Sequence, residues 1–186
     1  MTEQGEMAID VFQKLSNDRI LFIVGEIDDN MAADITATLL LKDGESEDKI
    51  TIFINSQGGD IRNIFTIYDV ISMIGSPVET VCIGSAMHGS AILLAAGTPG
   101  MRFATKHSVI CIEQLVNDWM KHSDLTEAKT SLAQSLEDNK RMMNIFAKCT
   151  NKTLKQIMAD FDRKAFMTPQ QAVKYGFIDK VVPYNK

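Results

Sequence analysis

The sequence predicts an α/β fold built on a mainly parallel sheet, and two patterns indicate it. Short apolar runs rich in β-branched residues alternate with longer segments whose apolar residues recur at helical spacing. The connections between them are short, which favours right-handed crossovers between parallel strands. The predicted strands are Arg19–Val24, Lys49–Ile54, Val78–Ile83, Ser108–Ile112 and Phe177–Val182, and the predicted helices are Asp28–Leu41, Ile61–Ile74, Ser85–Ala96, Lys121–Ala147, Thr153–Phe161 and Thr168–Tyr175.

Local signals support the predicted boundaries of these helices. The candidate N-caps for the first helix are Asp28, Asp29 and Asn30. Thr168 is the candidate for the last helix, with Pro169 at the first helical position. Gly75-Ser76-Pro77 ends the second helix. The segment Lys121–Ala147 is long, charged and helix-prone, so we expect one long helix that projects beyond the core.

Length, charge and cysteine usage limit the classes of protein. The 186 residues fit a single domain spanning 1–186. The net charge of −5 does not indicate the basic surface that binds nucleic acid. No apolar run reaches the length of a membrane span, and residues 1–10 resemble neither a secretory signal nor a transit peptide. We therefore expect a cytoplasmic protein, or an organellar stroma or matrix protein whose targeting segment is absent. Cys82 and Cys111 lie in apolar runs and are expected to be buried and reduced; we expect no metal site and no cofactor.

The stretch Gly84–Leu94 is the most informative part of the chain. A glycine-marked turn leads into an apolar helix, which is where a serine hydrolase displays its nucleophile, but the residue at that position is His88. A second strand–glycine–helix junction occurs at residues 55–60. Both junctions place backbone N–H groups at the carboxyl ends of strands, the sheet edge where α/β proteins bind ligands.

Motifs along nearly the whole chain, from about residue 9 to about 183, resemble the ClpP family of caseinolytic peptidase subunits (peptidase S14). The resemblance implies a ClpP/crotonase-like fold of repeated ββα-type units with a projecting handle region at about 115–147 and a short N-terminal segment at 1–9. The matching residues are Arg19-Ile20 with Gly25, Met31-Ala32, Ile54-Asn55-Ser56-Gln57-Gly58-Gly59, Ile67-Tyr68-Asp69, Cys82-Ile83-Gly84, Ala91 to Gly97, Arg102-Phe103, Arg163, Phe166 and Ala172 to Gly176.

The family's Ser-His-Asp triad maps onto three substituted positions. The nucleophile maps onto His88, the histidine onto Glu113 in the step Ile112-Glu113-Gln114, and the aspartate onto Lys164. A serine triad needs a hydroxyl, a base and an orienting carboxylate, so ordinary serine protease chemistry is lost. Ser85 and Ser90 flank the position, but neither has an evident histidine partner.

Three interpretations of His88, Glu113 and Lys164 stay open at this stage. The favoured one is a buried hydrogen-bonded cluster that fixes local geometry without turnover. The others are a catalytic site with altered chemistry and a metal site, for which two ligands are too few.

Other family features imply that peptide binding and ring assembly are retained although catalysis is lost. The backbone oxyanion-hole positions map onto Gly59 and Gly89, and a hole made of backbone N–H groups survives side-chain loss. Arg163 matches an arginine that makes ring-to-ring contacts. Phe53 and Phe103 match pockets where unfoldase loops dock, with ordinary core packing as the alternative. Residues 115–122 depart from the family pattern, which puts substrate binding in question.

The resemblance implies three functional hypotheses. The favoured one is a proteolytically inactive, ClpR-like subunit in stacked heptameric rings of itself or of an active ClpP paralogue. Its implied partners are an AAA+ Clp unfoldase and unfolded polypeptide, with no nucleic acid and no membrane. The second is a peptidase or crotonase-like acyl-transfer enzyme with altered chemistry, and the third is a homomeric decoy that captures an unfoldase.

Overall fold

The computed structural model describes residues 11–113, 124–150, 152–161 and 165–183, and within these ranges strands alternate with helices as predicted. The strands are β1 Ile20–Ile27, β2 Ile50–Gly59, β3 Val78–Met87, β4 Arg102–Ala104, β5 Val109–Ile112, β6 Ala165–Met167 and β7 Lys180–Val181. The helices are α1 Val11–Asn17, α2 Asp29–Glu45, α3 Ile61–Met73, α4 Ser90–Ala95, α5 Leu125–Cys149, α6 Leu154–Phe161 and α7 Pro169–Tyr175.

The sheet is parallel along its main path, which confirms the sequence prediction. The strand order is β1-β2-β3-β4-β7, and every pair in this path is parallel. Besides β2, strand β3 has two partners: Thr80 to Cys82 pair with β4, and its last three residues, Ser85 to Met87, pair with β5. Strand β6 runs antiparallel to β5. The carboxyl end of β3 therefore lies between β2 and β5, where the candidate site is built.

The predicted boundary between β3 and the following helix is wrong. The sequence places the helix at Ser85–Ala96, whereas the strand continues to Met87 and the helix begins at Ser90. Residues 85–87 stay extended because they pair with β5, and the Asn55 side chain accepts a hydrogen bond from the Ser85 amide at 3.0 Å. The short elements α1, β4 and β6 are absent from the sequence prediction, because they lack a periodic run long enough to indicate them.

The core lies between the sheet and the helices that cover it. Strands β1 and β2 contribute fully buried isoleucines such as Ile23 and Ile54, and α4 is buried along its whole length. Burying one such side chain contributes roughly 1.5–3 kcal/mol. This packing fixes the sheet edge from which the candidate site projects. Cys82 and Cys111 are fully buried, as predicted, and burial raises the pKa of the Cys82 thiol.

Helix α5 is long, as predicted, and only its second half enters the core. Its 25 residues begin after the N-cap Asp124, and its buried residues are Asp138, Met142 and Phe146. Phe146 packs edge-on against Phe177 with ring centroids 5.1 Å apart. The predicted start of this helix at Lys121 lies outside the described residues. No helix in the described ranges has both the length and the apolar composition needed to cross a membrane.

The Arg102 side chain on β4 binds both Asp179 and the end of α5. The Arg102 guanidinium on β4 donates to Asp179 Oδ1 at 2.8 Å and to the Cys149 carbonyl at 2.7 Å. Burial alone would raise the pKa of Asp179, but hydrogen bonds from the Arg102 side chain and backbone outweigh it and lower that pKa. The bond to Cys149 holds the end of the long helix against β4.

Candidate functional site

Two strand-to-helix junctions meet at one edge of the sheet. The end of β2, residues 56–59, leads into α3, and the end of β3 leads through His88 and Gly89 into α4. The strands are adjacent and parallel, with Ser56 paired to Ala86. The two junctions that the sequence singled out therefore lie side by side at the carboxyl ends of the strands.

His88 occupies a sharp turn between β3 and α4. Its φ is +51°, and it is one of two non-glycine residues with a positive φ in the described ranges. This left-handed conformation is uncommon for residues other than glycine, asparagine, aspartate and histidine. The His88 amide donates to the Cys111 carbonyl at 3.1 Å, which continues the pairing of β3 with β5 past the strand's end. The geometry is that of a nucleophile elbow, which holds one side chain out at the top of a sheet.

The glycine pair at the end of β2 allows a close approach of three backbone segments. Gly58 has a φ of +100°, and a Cβ there would lie 3.2 Å from both the His88 Cβ and the Met87 carbonyl oxygen. A Cβ on Gly59 would lie closer than 3.0 Å to three backbone atoms of Ile27. Only glycine fits both positions, so this turn is built to bring the backbone against β1 and the elbow.

Gly89 is packed equally closely on the other side of the elbow. A Cβ at this position would lie closer than 3.0 Å to the Ile64 side chain of α3, which is fully buried. The small residue therefore lets α4 begin directly against α3. The two proposed oxyanion-hole residues, Gly59 and Gly89, thus lie in adjacent junctions, each held by contacts that exclude a side chain.

Two buried serines brace the elbow from behind. The Ser90 hydroxyl accepts from the Met87 amide at 2.8 Å, and its proton is within reach of the Ser56 carbonyl at 2.9 Å. The Ser56 hydroxyl donates to the Gly25 carbonyl at 2.6 Å and accepts from the Gly58 amide at 3.0 Å. Sequence reasoning considered Ser90 only as a substitute nucleophile. Its full burial and its bonds to two strands make it a positioning residue for the turn.

The His88 imidazole is paired with a carboxylate that projects from the end of β5. Its Nε2 contacts Glu113 Oε1 directly. The Glu113 side chain is 11% exposed and that of His88 is 32% exposed, so the pair lies at the surface of the edge with the acid more deeply placed. A carboxylate bound at one ring nitrogen fixes the orientation of an imidazole, so Glu113 holds the His88 ring in place at the elbow.

Both neighbouring serine hydroxyls are engaged with groups other than the histidine. Ser85 lies within β3, not at the start of a helix as predicted, and its Oγ accepts from Gln57 Nε2 at 3.2 Å. Ser90 is bonded as described above. In the described part of the chain, the hydroxyls nearest the elbow are therefore bound to an amide side chain and to backbone.

The structure brings together four of the predicted site residues, His88, Glu113, Gly59 and Gly89. Lys164 and Arg163 lie outside the described residues. Phe53 is half-buried on the sheet and stacks on Phe22 with ring centroids 5.3 Å apart, and Phe103 on β4 is also half-buried. Among the described residues, no group of three or more histidine, cysteine or acidic side chains is placed to hold a metal ion.

The fold and the site define an α/β protein with a hydrolase-type elbow at the carboxyl edge of a parallel sheet. A family model described as Clp protease matches residues 3–185, nearly the whole chain. The chain therefore belongs to the Clp protease family, and its mixed α/β architecture with a central sheet is consistent with the ClpP fold. Family membership implies an oligomeric assembly that works with Clp partners.

Proposed function

We propose that this chain is a non-catalytic, ClpR-like subunit of a Clp protease assembly. The observation that carries the proposal is the residue at the elbow. The position that displays the nucleophile holds His88, and its Nε2 is engaged by the buried Glu113. The chain keeps the architecture of a protease site while lacking the hydroxyl that peptide hydrolysis needs there.

The chemistry of the three mapped positions supports loss of turnover. Acyl transfer by a serine triad needs a hydroxyl whose proton passes to an imidazole that a carboxylate orients. Here an imidazole stands in the place of the hydroxyl, and a carboxylate stands in the place of the imidazole. From the sequence, Lys164 replaces the orienting acid, which reverses the charge at that position.

The role proposed for the subunit is structural and regulatory. It would join stacked heptameric rings with copies of itself or an active paralogue, and it would influence assembly, gating or partner docking. The half-buried Phe53 and Phe103 lie on neighbouring parts of the sheet and would contribute to docking of an AAA+ Clp unfoldase. The substrate passing through the assembly would be unfolded polypeptide, and the cytoplasm stays the predicted compartment.

The test of this proposal is cleavage of a fluorogenic short peptide by the purified chain beside a His88→Ala variant. We expect no turnover above buffer by either protein, because neither has a hydroxyl nucleophile at the elbow. Turnover by the wild-type chain that disappears in His88→Ala would contradict the proposal and establish altered chemistry at this site. Equal turnover by both proteins would indicate either a contaminating peptidase or a catalytic site elsewhere in the chain. Turnover that persists unchanged through a second purification step would contradict the proposal.

A second candidate function rests on the preserved backbone of the elbow. Gly59 and Gly89 remain in adjacent junctions beside a residue held at positive φ, which is the framework of an oxyanion hole. An acyl-transfer site that uses His88 would retain this framework. The His88→Ala comparison separates this candidate from the first, since only an enzyme that uses the imidazole loses activity.

A further inference from the structure

A polar cleft lies between the start of α3 and the middle of α5, next to the elbow. It has a volume of about 430 Å³, and Ile61 is the one apolar residue among the described residues that line it. The α3 side contributes Asp60 and Arg62, and the α5 side contributes side chains that include Thr130, Gln134 and Asp138. Nothing in the proposed function uses this cleft.

Asp138 is the charged group most deeply placed in the cleft. The residue is 6% exposed, whereas its neighbours along α5 carry their charges into solvent. Gln134 Nε2 donates to its Oδ1 at 3.0 Å, and Arg141 lies 3.8 Å from the same oxygen. A carboxylate accepts about four hydrogen bonds. Both contacts are to Oδ1, so Oδ2 is the oxygen available to a ligand in the cleft.

The other polar groups of the cleft are mainly hydrogen-bond acceptors. Thr130 Oγ1 donates its proton to the Thr126 carbonyl at 3.1 Å, and Ser135 Oγ donates to the Ser131 carbonyl at 2.8 Å. Each hydroxyl therefore uses its donor within the helix, and the Thr130 oxygen keeps acceptor capacity. Asp60 adds a second carboxylate, which caps α3 through the Arg62 amide. A lining of this kind is complementary to a cation that carries several N–H donors.

Among the described residues that line the cleft, Arg62 is the one cationic side chain, and it is exposed. Arg141, which lies 3.8 Å from Asp138 Oδ1, is exposed as well. Solvent screens exposed charges far more than buried ones, so both guanidinium groups oppose the charge of Asp138 only weakly. A buried carboxylate paired with an ammonium or guanidinium forms a charge-assisted hydrogen bond, the stronger class of such bonds.

The position of the cleft indicates what carries that cation. Asp60 directly follows the Gly58-Gly59 pair, so the cleft opens beside the turn that packs against the elbow. A polypeptide lying along this turn would place a side chain between α3 and α5. We propose that the cleft binds the lysine or arginine side chain of a bound polypeptide, with Asp138 as its counter-ion.

The experiment measures binding of two fluorescein-labelled ten-residue peptides to the full chain by fluorescence anisotropy. The two peptides differ at one central position, and all their other residues are uncharged. One peptide has lysine at that position, and the other has norleucine, which has a similar length and no charge. The variant is Asp138→Asn, which keeps an acceptor for Gln134. The matched control is Glu137→Gln, which removes the same charge from the adjacent, exposed position of α5.

We expect Asp138→Asn to raise the Kd of the lysine peptide about tenfold, and Glu137→Gln to change it less than twofold. We expect the norleucine peptide to bind wild-type protein about as weakly as the lysine peptide binds Asp138→Asn. Equal binding of both peptides to wild-type protein would overturn the proposal, and this comparison needs no variant to fold. Equal weakening by both substitutions would also overturn it, because it would show a general charge effect.

A competition experiment with spermidine distinguishes a polypeptide from a free amine as the source of the cation. Spermidine that displaces the lysine peptide at concentrations below that peptide's Kd would show a small-amine site and overturn the assignment to polypeptide. We expect displacement only well above that concentration. Chromatography of the peptides after the titration detects any cleavage, so a failure of the proposed non-catalytic role is recognised independently of the binding result.

Discussion

Rebuilding the triad with His88→Ser, Glu113→His and Lys164→Asp is expected to raise hydrolysis of a short fluorogenic peptide at least about 10³-fold above the wild-type chain. The magnitude follows from triads elsewhere, where loss of the nucleophile or base costs about 10⁶ in turnover. The elbow at residue 88, its positive φ and the backbone of Gly59 and Gly89 already exist in this chain. The triple variant therefore adds the three proposed catalytic side chains to an elbow that is already present.

Two control variants make this expectation specific. His88→Ser alone should stay near the wild-type rate, because a carboxylate is a much weaker base toward a serine hydroxyl than an imidazole is. Adding Ser90→Ala to the triple variant should lower the gain, since the Ser90 hydroxyl ties the Met87 amide to β2 behind the elbow. A folded and assembled triple variant with no more activity than wild type would contradict the assignment of these positions to the triad.

The substitution Gly59→Ala is expected to destabilise the chain by about 3 kcal/mol or more, which lowers the thermal midpoint by roughly 6–12 °C for a domain of this size. The added Cβ would lie closer than 3.0 Å to three backbone atoms of Ile27. These atoms belong to a strand paired on that side, so they cannot move away as a flexible side chain would. Thermal unfolding followed by circular dichroism measures the shift.

Gly44→Ala is the matched control for this substitution. Gly44 lies within α2, and a Cβ there would meet no atom within 4 Å. Alanine should stabilise the helix by roughly 0.5–1 kcal/mol, because it restricts the unfolded chain more than glycine does. An unchanged midpoint for Gly59→Ala would contradict the close approach of β1 and β2 from which the candidate oxyanion hole is built.

Much of the fold could be predicted from the sequence because its long elements have strong periodic patterns. Helix α7 shows why: Thr168 and Gln171 form a capping box, with Pro169 at the first helical position, as local chemistry indicates. Strand β3 shows the limit. Its last residues, Gly84 to Met87, include no β-branched side chain. They stay extended because they pair with β5 and because Asn55 binds the Ser85 amide, and both contacts are distant in sequence.

Part of the candidate site could likewise be predicted from the sequence, and part of it depends on tertiary contacts. The glycines and His88 could be located from the motif, but the contact of His88 with Glu113 depends on β5 lying beside β3. The role of Ser90 was missed because a serine after the elbow carries no local sign that its side chain turns inward. Asp138 was missed because a charged residue on an amphipathic helix is ordinarily exposed, and its burial depends on the tertiary packing of α5.

The central claim is that the elbow carries no reactive hydroxyl, and intact-mass analysis after treatment with a fluorophosphonate tests it most directly. The reagent forms a phosphorus–oxygen bond with an activated serine and releases fluoride, so each reacted chain gains a fixed mass. A serine hydrolase in the same tube shows that the reagent is active. We expect the wild-type chain to stay unlabelled while the standard reacts fully. A stoichiometric adduct that proteolytic mapping places on residues 84–97 would contradict the account.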